Sequence, residues 1–275
     1  MPELPEVETI KRTLEARIKG LSVVSAEIFL PKLIRMPGVE EFKALLTGRK
    51  FLSLERRGKY LLLRLSHGLV MVIHLRMTGR LVYLPASADM APHTHLIINL
   101  DDGCQMRYSD IRRFGTVSLV PASELDKLSG LRSLGKEPFD REFTRGYLLK
   151  QLHSHRVILK TLLLDQSFIA GLGNIYADEV LFRARIHPQQ RSNMLTQRQS
   201  ARLFHAIREV LTEGIENRGT TLRDYVDGEG MAGNYQNLLK VHNRENQPCS
   251  VCSTNIVRLR ISGRSTYFCP YCQRM

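Results

Sequence analysis

Hydrophobic positions change their period along the chain, and the changes divide it. Val7, Ile10, Leu14 and Ile18 recur at helical spacing, so the opening segment predicts an amphipathic helix. Pro5 suits its first turn, and Glu6 and Glu8 complement its dipole. From residue 23 to 120 the pattern is that of β structure. Residues 51–56, 60–65 and 69–75 are short apolar runs, broken by Gly58 and by Ser66-His67-Gly68. Residues 95–100 and 104–109 flank Asp101-Asp102-Gly103, a hairpin signal. Short strands with turn punctuation predict an antiparallel sandwich or barrel.

A polar connection over 121–138, containing a short helical piece, ends this region, and helical spacing returns over 145–165 and 174–186. Ala177, Val180, Leu181 and Ala184 share one face. Thr196-x-x-Gln199 resembles a capping box that opens a third helix, with Leu203, Ile207, Val210 and Leu211 on one side. Residues 217–237 carry Gly219, Gly228, Gly230 and Gly233; so long a stretch in a compact domain is either functional or mobile. Alternation reappears at the end, with Val257, Leu259 and Ile261 opposite Arg258 and Arg260, as in a two-stranded ribbon. The expected class is α+β, with a β domain over 1–130, a helical domain over 131–240 and a ribbon over 241–275.

At 275 residues and 43% hydrophobic composition the chain is globular, with no apolar run of membrane-spanning length. Its acidic, periodic start is unlike a signal peptide, which implies a cytosolic protein. The net charge of +13 points to an anionic partner, most simply nucleic acid, although charge alone does not separate DNA from RNA or an acidic membrane. The absence of Trp and the 7% aromatic content argue against an RNA-stacking platform. Of five cysteines, Cys104 stands alone in a strand-like run and reads as an apolar filler. Cys249-x-x-Cys252, sixteen residues, then Cys269-x-x-Cys272 has the spacing of a zinc ribbon. Four thiolates leave no open coordination position, so this zinc is structural. Gly263-Arg264-Ser265 lies at the ribbon's turn, where an arginine makes a good phosphate fork.

The opening residues also carry candidate chemistry. Met1-Pro2 is a good substrate for methionine removal, which leaves Pro2 with a free secondary amine. An α-amino group titrates near ~8 against ~10.4 for lysine, so at neutral pH more of it is nucleophilic. Glu3 and Glu6 are candidate proton donor and acceptor beside it, although both also suit a plain helix start. Gly171, Gly173 and Asn174 precede a helix, as at phosphate sites or at an ordinary corner with Asn174 as N-cap. Met77 near a strand end, and Arg112-Arg113-Phe114 after another, are either core and surface residues or a wedge for a duplex missing a nucleotide. Lys59, after Gly58, most simply ends a hairpin; His74 and His93 are structural or phosphate-contacting.

Together these residues resemble the bacterial formamidopyrimidine-DNA glycosylases. The shared segments are Pro2-Glu-Leu-Pro-Glu-Val-Glu-Thr9, Arg57-Gly-Lys-Tyr60, His74-Leu-Arg-Met77, Asp110-Ile-Arg-Arg-Phe-Gly115, Gly171-Leu-Gly-Asn-Ile-Tyr-Ala-Asp-Glu179 and Gly263-Arg-Ser265 before Cys269-Pro-x-Cys272. They occur in the family's order and cover essentially the whole chain. The resemblance implies an N-terminal β-sandwich, a helix–two-turn–helix domain and a zinc finger, with DNA crossing the cleft between them. The enzyme would be a monomer acting in the cytoplasm, at the nucleoid, on double-stranded DNA with oxidised purines. It implies Pro2 as nucleophile on C1′, Glu3 as general acid with Glu6 supporting, and Lys59 in the elimination steps. Arg264 would grip phosphate with Asn174, and His74, His93 and Lys160 fall on phosphate-contacting positions. Met77, Arg112 and Phe114 would form the wedge, and 217–237 the mobile loop over the extruded base. His155 and Arg156 lie where relatives carry basic residues. Rival expectations are an endonuclease VIII-like enzyme for oxidised pyrimidines, a non-catalytic zinc-ribbon DNA-binding protein, and an RNA-associated ribbon protein.

Overall fold

The computed structural model describes residues 1–275. Two compact units divide the chain: Met1–Arg132 with Asn217–Gln236, and Ser133–Glu216 with Asn237–Met275. No helix is long and apolar enough to cross a membrane.

The first unit begins with helix α1 (Leu4–Ile18), whose apolar stripe is fully buried at Leu4, Val7, Ile10, Leu14 and Ile18. Strands β1 (Val23–Ile28) and β2 (Ile34–Met36), helix α2 (Val39–Leu46) and strands β3 (Phe51–Arg57), β4 (Tyr60–Leu65), β5 (Leu69–His74), β6 (Gly79–Pro85), β7 (Thr94–Leu100), β8 (Cys104–Asp110) and β9 (Thr116–Pro121) follow. They form a four-stranded sheet in the order β1-β7-β8-β6 and a five-stranded sheet β2-β9-β5-β4-β3. Every pairing is antiparallel except the short β2–β9 contact, which is parallel. The main core joins α1 to Leu61, Leu63, Met71 and Ile73 of one sheet and Leu96, Ile98 and Met106 of the other. Leu62, Val70 and Val72 point away from that core and are covered by Leu125, Leu128 and Leu131. Both faces of the middle strands are therefore buried, which is why residues 60–65 and 69–75 read as continuous apolar runs.

Two readings of this region change. Residues 39–46 are helical inside the stretch assigned to strands, because Phe42 and Leu46 lie one turn apart and both face the core. Cys104 is half-buried at the start of β8, beyond the turn that closes at Gly103 (φ +80°).

The segment Asn217–Gln236 belongs to this unit through specific bonds. The Thr220 N–H donates to Glu6 Oε1 at 2.7 Å, the Gly228 N–H to Thr13 Oγ1 at 3.0 Å, and the Tyr83 N–H to the Gly228 carbonyl at 2.8 Å. Asp227, fully buried, pairs with Arg218 and turns the chain back by accepting from the N–H groups of Glu229 (2.9 Å) and Met231 (3.0 Å). Four-residue α3 (Ser129–Arg132) closes the unit's main stretch.

The second unit contains α4 (Arg145–Ser154), α5 (Leu159–Leu164), α6 (Asn174–Ala184) and α7 (Gln197–Glu216), followed by the hairpin β10 (Val257–Ile261) and β11 (Arg264–Phe268). The run expected over 145–165 is two helices, broken at 155–158 where His155 and Ile158 take extended backbone. The capping box before α7 forms as its spacing suggests: the Gln199 N–H donates to Thr196 Oγ1 (3.2 Å) and the Thr196 N–H to Gln199 Oε1 (2.9 Å). The N-cap of α6 is Gly173, one residue earlier than the sequence suggested, so the Asn174 side chain is free for another task.

Candidate functional site

The N-terminus of α1 is built by its own carboxylates. Glu3 is the N-cap, and Glu6 returns to accept the Glu3 N–H at 2.7 Å in a capping box. With Pro5 in the first turn, this start fixes the backbone that carries Pro2. Pro2, Glu3 and Glu6 are all buried, while Met1 is 48% exposed. The other oxygen of Glu6 holds Thr220, so this carboxylate is a joint between α1 and the glycine-rich segment.

Lys59 sits in the two-residue turn between β3 and β4, made possible by Gly58 at φ +57°. It is only 6% exposed and is not the solvated hairpin end that its neighbours suggested. The turn is tied to α1 through Arg56, which donates to Glu8 at 3.0 Å and to the Gly58 carbonyl at 3.1 Å. Burial alone would raise the Glu8 pKa, but Arg12, Arg56 and Lys11 together hold it below the usual carboxylate range.

His74, at the end of β5, is buried beside Tyr60, edge to face at 4.5 Å. Burial first, then Arg76 and Lys59, push its pKa down to about 3, so the ring is neutral at physiological pH. Its Nδ1 accepts the Arg76 N–H at 3.0 Å, leaving the proton on Nε2. His93 is exposed, with left-handed backbone at φ +61°.

Met77, Arg112 and Phe114 come together at the surface. Met77 is 38% and Phe114 52% exposed, and Arg112 lies between them, donating to the Met77 sulfur at 2.8 Å and sitting 4.8 Å from the Phe114 ring centroid. This is an apolar cluster centred on a cation, carried on two turns rather than on a strand end.

In the second unit, α5, α6 and the hairpin meet around a buried charge network. Lys160, expected at a phosphate, has no exposed surface: its ammonium pairs with Asp178, also fully buried. His242 Nδ1 lies 2.7 Å from the other oxygen of Asp178. Asn174 Nδ2 donates to the Ser265 carbonyl at 2.9 Å, and its Oδ1 has no hydrogen-bond partner. Arg264 is exposed at the hairpin turn, beside Gly263 at φ +76°. Glu179 accepts the consecutive N–H groups of Lys240, Val241 and His242 at 2.8–2.9 Å, anchoring the chain that leads into the ribbon. His155 is used locally, its Nδ1 2.7 Å from the Gln151 carbonyl and its ring against Phe168, whereas Arg156 is exposed.

The four cysteine sulfurs lie within 4.8 Å of one another, with Cys249–Cys272 at 4.0 Å and Cys252–Cys269 at 3.4 Å. A zinc–sulfur bond of about 2.3 Å in tetrahedral geometry places ligand sulfurs roughly 3.8 Å apart, so the donor set fits.

Three family models match the chain in sequence: the formamidopyrimidine-DNA glycosylase N-terminal domain over residues 1–117, its H2TH domain over 134–226, and the zinc finger found in FPG and IleRS over 246–274. A formamidopyrimidine-DNA glycosylase of Pelotomaculum thermopropionicum is 54% identical, with full coverage of both chains. The chain belongs to the formamidopyrimidine-DNA glycosylase family. Among solved structures, a mutant Lactococcus lactis FPG bound to Fapy-dG-containing DNA aligns with a TM-score of 0.94 at 35% identity, covering 100% of both chains. MutM bound to DNA with carbocyclic 8-oxo-G aligns at 0.92 and 35%, again over both whole chains.

Within this family assignment the cysteine cluster is the site of one structural zinc ion. Several residues that shape the site escaped the sequence reading. Asp178 and Glu179 lie inside a quoted motif but give no sign of their partners 60 or more residues away. Thr220 and Gly219 gave only a composition signal; a Cβ on Gly219 would lie 2.8 Å from Glu6 Cγ, a close approach invisible without the fold.

Proposed function

We propose that this chain is a bifunctional base-excision glycosylase and lyase, which removes oxidised purines from duplex DNA and then cleaves the strand. The observation that carries this reading is the amino-terminal arrangement: a proline at the head of a capped helix, a buried glutamate beside it, and a buried lysine in a turn tied to the same helix through Arg56 and Glu8. None of these features is needed by a DNA-binding ribbon.

After Met1 is removed, the Pro2 nitrogen attacks C1′ of the damaged nucleotide and the base departs. Glu3 delivers a proton to the sugar ring oxygen, so the ring opens and an iminium forms. That electron sink acidifies the C2′ proton, and its loss expels the 3′ phosphate; a second elimination expels the 5′ phosphate. Lys59 serves these proton transfers. Extrusion of the nucleotide costs a few kcal/mol of stacking and pairing. Met77, Arg112 and Phe114 offset this by filling the vacated space, Arg112 facing the orphaned base. Arg264, Asn174, His93 and Arg156 hold phosphates, as does His74 through a neutral Nε2–H. Lys160 acts from within, on Asp178. Residues 217–237 close over the extruded base, tied to the first unit at Thr220 and Gly228.

Incision assays decide between substrate classes. A duplex with 8-oxoguanine opposite cytosine should be converted to a one-nucleotide gap bearing phosphate at both ends. A preference for a thymine glycol duplex would instead favour the pyrimidine enzyme.

A further inference from the structure

We infer that Asp110 is a positioning residue for the Met77, Arg112 and Phe114 cluster, acting on extrusion of the nucleotide rather than on its chemistry; the inference rests on the wedge reading above. Asp110 ends β8 and is 1% exposed. Its two oxygens collect donors from four positions. Oδ1 accepts from Thr78 Oγ1 at 2.5 Å and from the Arg112 N–H at 3.1 Å. Oδ2 accepts from the Gly115 N–H at 2.8 Å and from the Tyr108 hydroxyl at 3.4 Å. Thr78 follows Met77, and Gly115 follows Phe114. One carboxylate thus fixes both wedge-bearing turns, and Thr78 links them again by accepting the Arg112 N–H at 3.1 Å.

The surroundings of Asp110 are built for this. Tyr108 is fully buried, and burial followed by the Asp110 charge raises its pKa, so its hydroxyl stays a donor. That hydroxyl occupies space left by two glycines: a Cβ on Gly115 would lie 1.6 Å from it, and one on Gly79 2.5 Å. Both turns also hold non-glycine residues in left-handed backbone, Arg76 at φ +56° and Arg113 at φ +58°. Such conformations persist only where the surroundings over-determine them. A cluster that must enter a base stack without splaying needs this rigidity.

Asp110→Asn is the direct test. Its amide nitrogen must face either the Arg112 N–H or the Gly115 N–H, and a backbone N–H cannot turn round to accept. Both N–H groups belong to the turn that carries Arg112 and Phe114, so either orientation removes one of that turn's anchors while side-chain volume is kept. The readout is single-turnover excision of 8-oxoguanine opposite cytosine and, separately, opposite a tetrahydrofuran abasic analogue that presents no pairing partner. Each rate is taken relative to the unsubstituted enzyme on the same duplex. Arg112→Ala serves as the reference.

Asp110→Asn should lose about tenfold or more opposite cytosine, as for a lost charge-assisted hydrogen bond. Most of that loss should vanish opposite the abasic analogue, with Arg112→Ala giving the same pattern. Equal losses on both duplexes for Asp110→Asn, with Arg112→Ala still pairing-dependent, would overturn the inference and leave the wedge intact. A pairing-independent Arg112→Ala would overturn the wedge reading itself. Should Asp110→Asn fail to fold, Thr78→Val removes one donor from the same carboxylate. It should show the same dependence on pairing in smaller measure, and equal losses on both duplexes would count against the inference.

Discussion

Burial, reinforced by Arg76 and Lys59, takes the His74 pKa to about 3, and this single ring has a consequence for the whole fold. Unfolded, it would titrate near ~6.5. A histidine depressed in the folded state is protonated first in the unfolded chain, so its contribution to stability is complete above that pH and declines progressively toward about 3. His187, depressed by burial, acts in the same direction. Thermal melts at pH 7.5 and 5.0 should show a drop in Tm on acidification, and His74→Gln should make that drop smaller; an unchanged drop would contradict the assigned burial effect. Glu179 offers a second test at this scale. Glu179→Ala leaves the buried N–H groups of Val241 and His242, and the partly buried one of Lys240, without their acceptor, so a loss of roughly 3 kcal/mol in denaturant unfolding is expected. At the residue scale, Pro2, Glu3 and Lys59 could be picked out as candidates because each falls within a short string, and the structure adds that all three are buried. The sequence could not show that Lys160 is buried on Asp178, because that depends on how α5 and α6 pack.

Elements were legible in proportion to the regularity of their burial. Helix α7 buries one side, with Leu203, Ile207, Val210 and Leu211 all inward and a capping box at its start, and both signals were visible. Helix α2 escaped because two buried residues in eight are too few to set a period. The glycine-rich segment was visible as a composition but not as an architecture. Its anchoring depends on Gly219 at φ +79°, packed against Glu6. Gly219→Ala should therefore cost about 1–3 kcal/mol through backbone strain and contact, and should free the segment. Limited proteolysis checks this: faster cutting within 217–236 is expected, and an unaltered cleavage pattern would contradict the joint. The ribbon gives a parallel case. Chelation of zinc should unfold the cysteine cluster and abolish tight duplex binding in fluorescence anisotropy, and zinc should restore it.

At the scale of the whole molecule, the net charge of +13 meets a polyanion, so affinity should depend steeply on salt. A slope of log Kobs against log salt of roughly −3 to −5 is expected for a handful of neutralised phosphates, and Arg264→Ala should reduce its magnitude by about 0.9. A slope unaffected by loss of Arg264 would remove that residue from the phosphate set. Charge, fold and zinc would nevertheless suit a protein that only binds DNA; the role proposed for the amino-terminal proline is what separates the two readings. The decisive measurement is borohydride trapping on a duplex with 8-oxoguanine opposite cytosine, using protein shown by mass spectrometry to lack Met1, followed by peptide mapping. A reduced covalent adduct on Pro2 is the expected result. An adduct on Lys59 or another lysine, or none at all, would contradict the account.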